Sequence, residues 1–310
     1  MRYLVTGGSG LIGSNIVHEL VRQGHEVVTT GKRNEQNIPS SVKLIEEDLT
    51  TIDWLSLGRF DAIFHQAAIT DTLVHDRERM FVVNVQSSKE LFSAVVQNGC
   101  KHIVYASSTA VYGAEPAPYI EGVTRLKPLN VYGESKKLLD DFAIQFAQEH
   151  LDIVIVGLRY CNVFGPGESH KGKMATLIYQ LAEQMLAGNA RVFEFGEQKR
   201  DYIYVKDVVA ANLLASCAKK SCIVNCGGGK AISFNEVIRV LNKILGLGKK
   251  TEYMKNPYAE QYQSYTECDM TLAKKMIGFV PAWKFENAVK DYFNSGRLVS
   301  FEVLKKLSRG

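Results

Sequence analysis

The sequence lacks a long apolar segment, a signal-peptide pattern and a strong charge of either sign. No apolar stretch approaches the roughly 20 residues that a membrane-spanning helix needs, and the start of the chain, MRYLVTGG, shows no cleavage pattern. We therefore expect a cytoplasmic, soluble protein with no membrane partner. The net charge of +4 is small and dispersed along the chain, so no nucleic-acid partner is predicted.

Cysteine is scarce, with six residues in a chain of 310. Only Cys222 and Cys226 lie close together in sequence, and no second pair completes the spacing of a zinc site. Both belong to the segment SCIVNCGGG, which is typical of a buried strand. The sequence therefore predicts structural thiols and no metal site.

Short apolar segments alternate with helical patterns through the first half of the chain. The apolar segments, in order, are RYLVT, HEVVTT, VKLIEED, DAIFHQAA, HIVYASS and DIVIVGLR. This alternation predicts an α/β fold with a Rossmann-like, doubly wound parallel sheet. Such sheets bind ligands beyond the carboxyl ends of their strands, so the chemistry is expected directly after each apolar segment.

The alternation weakens from about residue 165, where glycine, proline and charged residues interrupt it. We predict an NADP-binding Rossmann domain over residues 1–165. Residues 166–310 are predicted to form mainly a smaller α+β substrate-binding lobe, interleaved with the sheet.

The segment TGGSGLIG follows the first predicted strand and precedes the first predicted helix. Its glycines Gly7, Gly10 and Gly13 allow a sharp turn and a close approach of backbone N–H groups to a pyrophosphate. The strand–turn–helix context is what makes this glycine pattern indicative of a dinucleotide cofactor. The other predicted cofactor contacts flank this segment and the later strand ends: Leu11, Ile12, Asp48, Leu49, Ala67 and Ala68. Asp48 could equally cap the turn that follows it.

The second predicted strand ends in Thr30-Gly31-Lys32-Arg33. NAD-binding Rossmann domains usually place an acid here to hold the ribose 2′-hydroxyl, whereas two cations suit the 2′-phosphate of NADP. We therefore expect NADP in preference to NAD. A solvated pair of cations in a loop would give the same sequence.

The segment ASSTAVYG precedes a Y-x-x-x-K element, Tyr132-Gly133-Glu134-Ser135-Lys136. Together with TGGSGLIG, these motifs resemble the extended short-chain dehydrogenase/reductase family along nearly the whole chain. The resemblance implies that Tyr132 moves a proton, that Ser108 binds the reacting oxygen, and that Lys136 binds the cofactor ribose. Because Lys136 shares a helix face with Tyr132, we expect its charge to lower the pKa of the tyrosine.

Thr109 and Ala110 stand directly after Ser108. Nucleotide-sugar 4,6-dehydratases of the same family carry an acid pair at this place, so the resemblance disfavours a dehydratase. An epimerase or a simple reductase remains.

The segment Gly165-Pro166-Gly167-Glu168-Ser169-His170-Lys171-Gly172 is the most specific part of the second half. It resembles the ADP-L-glycero-D-manno-heptose 6-epimerases, in which a GHKG-like loop supplies a catalytic lysine; here Ser169 replaces the first glycine. The resemblance implies that Lys171 and Tyr132 exchange protons on opposite faces of a transient ketone at C6″. A role for Lys171 in steering an anionic substrate stays open.

The predicted substrate contacts other than Ser108 follow the later strands and loops: Asp71, Asn162, His170, Arg200 and Tyr262. A guanidinium suits the substrate pyrophosphate, although Arg200 could instead pair with Asp201 or Asp207. The substrate is expected to be a nucleotide sugar and the protein a homo-oligomer. A UDP-hexose 4-epimerase and a non-catalytic NADP-sensing protein are the alternatives.

Overall fold

The structure is a computed structural model that describes residues 1–32, 38–71, 76–256 and 264–299. Within these residues, seven parallel strands form the central sheet in the order β10-β6-β5-β4-β1-β2-β3. Their bounds are β1 Arg2–Thr6, β2 Glu26–Thr30, β3 Lys43–Ile45, β4 Ala62–His65, β5 His102–Ser108, β6 Val154–Tyr160 and β10 Cys222–Cys226. The order reverses between β1 and β4, which is where doubly wound sheets bind ligands.

Helices cover both faces of this sheet and build the rest of the molecule. They are α1 Leu11–Arg22, α2 Arg77–Phe81, α3 Ser87–Gln97, α4 Val131–Glu149, α5 Leu177–Ala187, α6 Val205–Ser216, α7 Phe234–Leu245, α8 Thr271–Ile277 and α9 Phe285–Asn294. None of the helices in the described part of the chain is long and apolar enough to cross a membrane.

Alternation along the strands divides the core between the two faces of the sheet. Tyr3 and Val5 of β1 pack with helices α1 and α6, while Leu4 between them packs with α3 and α4 on the other face. Successive side chains of a strand point in opposite directions. A strand covered on both faces is therefore apolar at successive positions, as Tyr3, Leu4 and Val5 are.

A second lobe is built mainly from the second half of the chain. The strands β7 Asn162–Phe164, β9 Lys199–Tyr204 and β11 Ala231–Ser233 form one sheet, and β8 Ala190–Phe193 pairs with β12 Thr251–Met254. Helices α5, α7 and α9 pack on these strands around a separate core. Strand β10 and helix α6 nevertheless belong to the central sheet and its cover, so the lobe is interleaved with it. The boundary at residue 165 stays a prediction.

The helical segment over residues 77–97 is not one continuous α-helix. A π-helical turn, Val82–Gln86, separates α2 from α3. The turn holds the buried Asn84, whose side-chain amide donates to the carbonyl oxygen of Ile69 at 3.0 Å and to Ser135 Oγ at 3.0 Å. The turn thus joins the end of β4 to α4, a contact that periodicity cannot reveal.

Candidate active site

The glycine-rich loop closes tightly on itself at the end of β1. A Cβ atom on Gly13 would lie 2.2 Å from the carbonyl oxygen of Gly7, and one on Gly7 would lie 2.8 Å from the backbone nitrogen of Ala67. Gly7 also has a φ of +71°, which glycine adopts without steric cost. Helix α1 begins directly after Gly10, so the N–H groups of its first turn, which have no partner inside the helix, are available to an anion. The loop therefore fits a pyrophosphate.

The ends of β2 and β3 bring two more predicted cofactor residues together. The backbone N–H of Lys32 donates to Ser9 Oγ at 3.2 Å. Asp48 Oδ1 accepts from the backbone N–H of Thr50 at 3.0 Å and from its hydroxyl at 2.9 Å. These bonds lower the pKa of Asp48, and the charge of Lys32 adds to the effect. Asp48 therefore caps its turn and also faces Lys32. Arg33 lies outside the described residues.

The remaining predicted cofactor residues have mixed surroundings. The side chain of Leu11 is buried in the core of the second lobe, Ile12 contacts both that core and the central one, and Leu49 packs behind β3. Only their backbone groups are then suited to a polar ligand. Ala67 and Ala68 follow β4 and are half-buried, and Ala67 borders the glycine-rich loop.

The start of α4 brings Tyr132 to Ser108. Asn130 caps the helix, because its Oδ1 accepts from the backbone N–H of Gly133 at 2.8 Å. A Cβ atom on Gly133 would lie 2.7 Å from the carbonyl oxygen of Ala110, so the glycine permits the first turn to pack against the residues after β5. Ser108 Oγ accepts from the backbone N–H of Ala110 at 3.1 Å, and Ser108 lies close enough to Tyr132 to act on its pKa.

Lys136 lies one turn further along α4 and is buried. Its Nζ donates to the carbonyl oxygen of Ala106 at 2.8 Å and lies 5.8 Å from the centre of the Tyr132 ring. Burial lowers the pKa of Lys136 to about 8, and the charge of Asp140 opposes this shift. The ammonium is therefore close to titration at neutral pH.

The expected lowering of the Tyr132 pKa is wrong for this structure. Burial raises the pKa of Tyr132, and the Ser108 side chain opposes the rise. Removal of water from around the phenol disfavours the phenolate, and the Nζ of Lys136 is directed to the Ala106 carbonyl. Desolvation, which depends on the whole fold, outweighs the helix-face spacing.

A buried ion pair that the sequence reasoning missed lies behind Lys136. Asp140 Oδ1 accepts from the Tyr105 hydroxyl at 2.9 Å, and its Oδ2 accepts from Arg159 Nε at 2.9 Å. Arg159 Nη1 also donates to the Tyr112 hydroxyl at 2.9 Å. The i, i+4, i+8 spacing of residues 132, 136 and 140 is the one sequence signal that could have placed Asp140 on the catalytic face of α4.

His65 at the end of β4 is buried and bonded on both ring nitrogens. Its Nδ1 is 2.7 Å from Thr6 Oγ1 and its Nε2 is 2.8 Å from Ser88 Oγ. Ser88 donates its own proton to the carbonyl oxygen of Asn84, so the imidazole donates from Nε2 and accepts at Nδ1. Burial, assisted by the charge of Lys136, lowers the pKa of His65 to about 3. The ring is therefore neutral at physiological pH.

Lys171 lies in a short 3-10 segment, Ser169–Met174, on the loop that follows β7. Burial lowers the pKa of Lys171, and the charge of Glu168 opposes the shift. Desolvation and the neighbouring lysine lower the pKa of His170, which is largely exposed. A lysine with a depressed pKa suits proton transfer better than an exposed one.

The predicted substrate residues of the second lobe line its strands. Asn162 Nδ2 donates to the carbonyl oxygen of Asp201 at 3.2 Å. The guanidinium of Arg200 lies 5.7 Å from the centre of the Phe234 ring, and its Nη1 donates to the Lys199 carbonyl at 2.9 Å. Asp71 is half-buried after β4. Tyr262 lies outside the described residues.

The carboxylates that could have paired with Arg200 are bonded to backbone amides. Asp207 accepts from Ala282 and Trp283, and Asp201 accepts from Gly228, Gly229 and Cys268. These bonds hold β9 and α6 against neighbouring loops. They leave the two acids in structural positions.

Asp201 also completes a group that sequence spacing did not indicate. Its carboxylate and the thiols of Cys161 and Cys268 lie within 4.8 Å of one another. Burial raises the pKa of both thiols and raises that of Asp201 to about 7. In these surroundings the two thiols are neutral, and they pack against a carboxylate that accepts from three backbone amides.

Comparisons with known proteins identify the family of this chain. The family described as NAD dependent epimerase/dehydratase family matches residues 3–227. The chain belongs to this family. The predicted family and the Rossmann-like fold are therefore confirmed.

Several solved structures of family members cover almost the whole chain. The ADP-L-glycero-D-manno-heptose-6-epimerase of Helicobacter pylori is 34% identical with a TM-score of 0.87, over 95% of each chain. The UDP-glucose 4-epimerase of Thermotoga maritima is 28% identical with a TM-score of 0.86, over 95% of this chain and 99% of that one. The UDP-glucose 4-epimerase of Thermus thermophilus, solved with NAD, is 28% identical with a TM-score of 0.81 over the same shares.

Proposed function

We propose that this protein is a nucleotide-sugar epimerase that inverts C6″ of an ADP-glycero-manno-heptose through transient oxidation to a ketone. The observation that carries the proposal is Lys171, whose pKa is depressed by burial on the loop after β7. This lysine adds a second proton-transfer group to Tyr132 and Ser108. Identity of 34% with a heptose 6-epimerase supports the same substrate class.

The glycine-rich loop supports the cofactor part of the proposal. Side chains at Gly7 or Gly13 would collide with the backbone and open the tight turn before α1, and the N–H groups of the first turn of α1 suit a pyrophosphate. When bound, a nicotinamide cofactor supplies the acceptor and later the donor of a hydride. Lys136 would then donate to the ribose of that cofactor.

The proton steps fall to the residues of this chain. Ser108 donates a hydrogen bond to the reacting oxygen, and the Lys171 amine takes the hydroxyl proton as the C6″–H bond gives up its hydride. After the ketone turns over in the site, the Tyr132 phenol donates a proton to the oxygen as hydride returns to the opposite face. Arg200 and Asn162 bind the substrate pyrophosphate, where a guanidinium matches the phosphate oxygens. His170, Asp71 and Tyr262 are proposed as further substrate contacts.

We propose NADP as the cofactor. No acid follows β2 among the described residues up to Lys32, and that lysine has an exposed side chain near Asp48. A lysine attracts a 2′-phosphate, whereas NAD-binding relatives use an acid at this place. The nucleotide released from denatured protein, identified by mass spectrometry, tests this; release of NAD would contradict it.

Substrate identity is tested by incubating the purified protein, without added cofactor, with ADP-glycero-manno-heptose and in parallel with UDP-galactose. We expect product from the heptose alone, because the two proposed proton-transfer groups, Tyr132 and Lys171, act at C6″, a carbon outside the sugar ring. The alternative is a UDP-hexose 4-epimerase, which the 28% identity with two UDP-glucose 4-epimerases favours and which conversion of UDP-galactose alone would support. Absence of turnover with bound nucleotide would support a non-catalytic NADP-sensing protein.

The variant Lys171→Ala separates the two epimerases. It should lower the kcat of heptose epimerisation roughly 10²- to 10⁴-fold, the usual contribution of a proton-transfer group, and leave a measurable residual rate, whereas a 4-epimerase that uses Ser108, Tyr132 and Lys136 should tolerate it. The matched control is Lys219→Ala, which removes an exposed lysine after α6. Mass photometry of the same samples tests the proposed homo-oligomer.

A further inference from the structure

The loop that carries Lys171 is closed by one buried carboxylate. Glu168 has no exposed surface. Its Oε1 accepts from the backbone N–H of Gly165 at 3.3 Å, and its Oε2 accepts from the backbone N–H of Thr176 at 2.7 Å. A single side chain thus binds the residues at both ends of the segment and fixes the path of the chain between them.

Glu168 also contacts Lys171 directly. The backbone N–H of Lys171 donates to the carbonyl oxygen of Glu168 at 2.9 Å, and the two side-chain charges interact. Burial lowers the pKa of Lys171 and raises that of Glu168, and each charge opposes the shift of the other. The carboxylate therefore acts on both the position and the protonation of the lysine.

Other titratable groups surround this pair. His170 lies beside Lys171. Desolvation lowers the pKa of His170, and the charge of Lys171 lowers it further. Tyr179 of α5 and Tyr292 of α9 lie close enough to Glu168 for its charge to act on them. Burial is the main cause that raises the pKa of each tyrosine, and the charge of Glu168 raises it further. Both tyrosines are neutral at physiological pH, so among the described residues Glu168 is the acid whose charge acts on Lys171.

The loop is also fixed to the helix that begins at the glycine-rich loop. Asn15 Nδ2 donates to the carbonyl oxygens of Leu11 and Pro166, each at 2.8 Å. A Cβ atom on Gly167 would lie 3.4 Å from Ser14 Oγ, so the loop packs directly on the first turns of α1. The lysine loop and the proposed pyrophosphate site therefore share one rigid support.

We propose that Glu168 is a positioning residue for Lys171: its buried carboxylate bonds the two ends of the loop, its carbonyl oxygen accepts from the backbone N–H of Lys171, and Asn15 fixes the same loop to the cofactor helix. This role rests on the proposed function of Lys171 as the second proton-transfer group.

The first test is a double-mutant cycle on the purified enzyme with its heptose substrate. Glu168→Gln should lower kcat by roughly 10- to 100-fold, the loss typical of a misplaced catalytic group, with KM and nucleotide content changed less than about twofold. In the Lys171→Ala background the same substitution should have almost no further effect, because residues that act through each other are not additive. Equal losses in both backgrounds would overturn the proposal. Glu149→Gln, at an exposed position on α4, is the control.

The second test needs no substrate and so separates this proposal from the proposed function. Acetylation of Lys171 by acetic anhydride, followed by peptide mass spectrometry across pH, reports the pKa of its amine. Glu168→Gln should lower that pKa, and Glu168→Asp should restore it in part. An unchanged labelling profile in Glu168→Gln would overturn the role of Glu168, even if the wild-type enzyme converts no heptose.

A third variant covers the case in which Glu168→Gln does not fold. Asn15→Ala removes the bonds to Leu11 and Pro166 and keeps the carboxylate in place. Lys171 should then be acetylated faster than in the wild-type protein at the same pH, because the loop is released from α1. A rate equal to that of the wild-type protein would overturn the anchoring part of the proposal.

Discussion

Asp140 Oδ2 lies 2.9 Å from Arg159 Nε in a pair whose side chains are 1% and 6% exposed. Asp140 stands one helical turn beyond Lys136 on α4. Burial lowers the pKa of Lys136 to about 8, and Asp140 keeps it from falling further. The helix that presents the predicted catalytic pair thus also carries the charge that supports its lysine.

The variant Asp140→Asn should destabilise the protein by about 3–5 kcal/mol, because it leaves the guanidinium of Arg159 buried without its counter-charge. The measurement is the free energy of unfolding from urea titration. Asp141→Asn, which breaks an exposed pair with Lys137 on the same helix, should cost about 0.5 kcal/mol or less. Similar losses in the two variants would contradict a special role for the buried pair.

Activity should fall as the pH rises through about 8. The pKa of Lys136 is lowered to about 8, so above this pH the ammonium proposed to bind the cofactor ribose loses its proton. The alkaline limb of kcat/KM, measured from pH 6 to 10, should report this titration. Asp140→Asn should shift the limb to lower pH. A limb near pH 10 would show that Lys136 keeps an ordinary pKa.

Stability should change in the opposite direction over the same range. The unfolded lysine keeps its proton up to a pKa of about 10.4, so between about pH 8 and 10.4 the unfolded state binds more protons than the native state through this group. The contribution of Lys136 to the free energy of unfolding therefore rises with pH in that window. Urea titrations of wild type and Lys136→Met at pH 7.5 and 9.5 measure the difference in slope.

The variant Gly133→Ala should lower kcat by roughly 100-fold, the cost of about 1 Å of misplacement at a catalytic group. The added Cβ atom would lie 2.7 Å from the Ala110 carbonyl oxygen, which pushes the first turn of α4, and Tyr132 with it, away from Ser108. Gly248→Ala meets nothing within 4 Å and should leave kcat unchanged. Full activity in Gly133→Ala would show that this close packing does not position the tyrosine.

The variant Lys32→Ala should weaken NADP binding roughly 5-fold, the effect of about 1 kcal/mol from an exposed ion pair, and leave NAD binding almost unchanged. Fluorescence titration of nucleotide-free protein with each cofactor gives both constants. The NADP effect should shrink at high salt, because exposed charges are screened. Lys43→Ala at the start of β3 is the control. Equal losses for NAD and NADP would exclude contact with the 2′-phosphate.

The family and the central sheet could be predicted because their signals are local. The glycines of TGGSGLIG, the spacing of Tyr132 and Lys136, and the apolar strands each express a constraint over a few residues. Local backbone geometry and side-chain periodicity are properties of short segments, so they can be recognised before the chain is folded.

The tertiary structure alone decided the electrostatics and the supports of the site. The bond between Asn15 and Pro166 spans 151 positions, the pair of Asp140 with Arg159 joins a helix to a strand, and Tyr132 has a pKa raised by burial where the helix spacing predicted a lower one. Desolvation and through-space contacts depend on which segments pack around a group, and this is fixed only when distant parts of the chain meet. The sequence by itself determined which groups can react; the fold decided how they are held and when they carry charge.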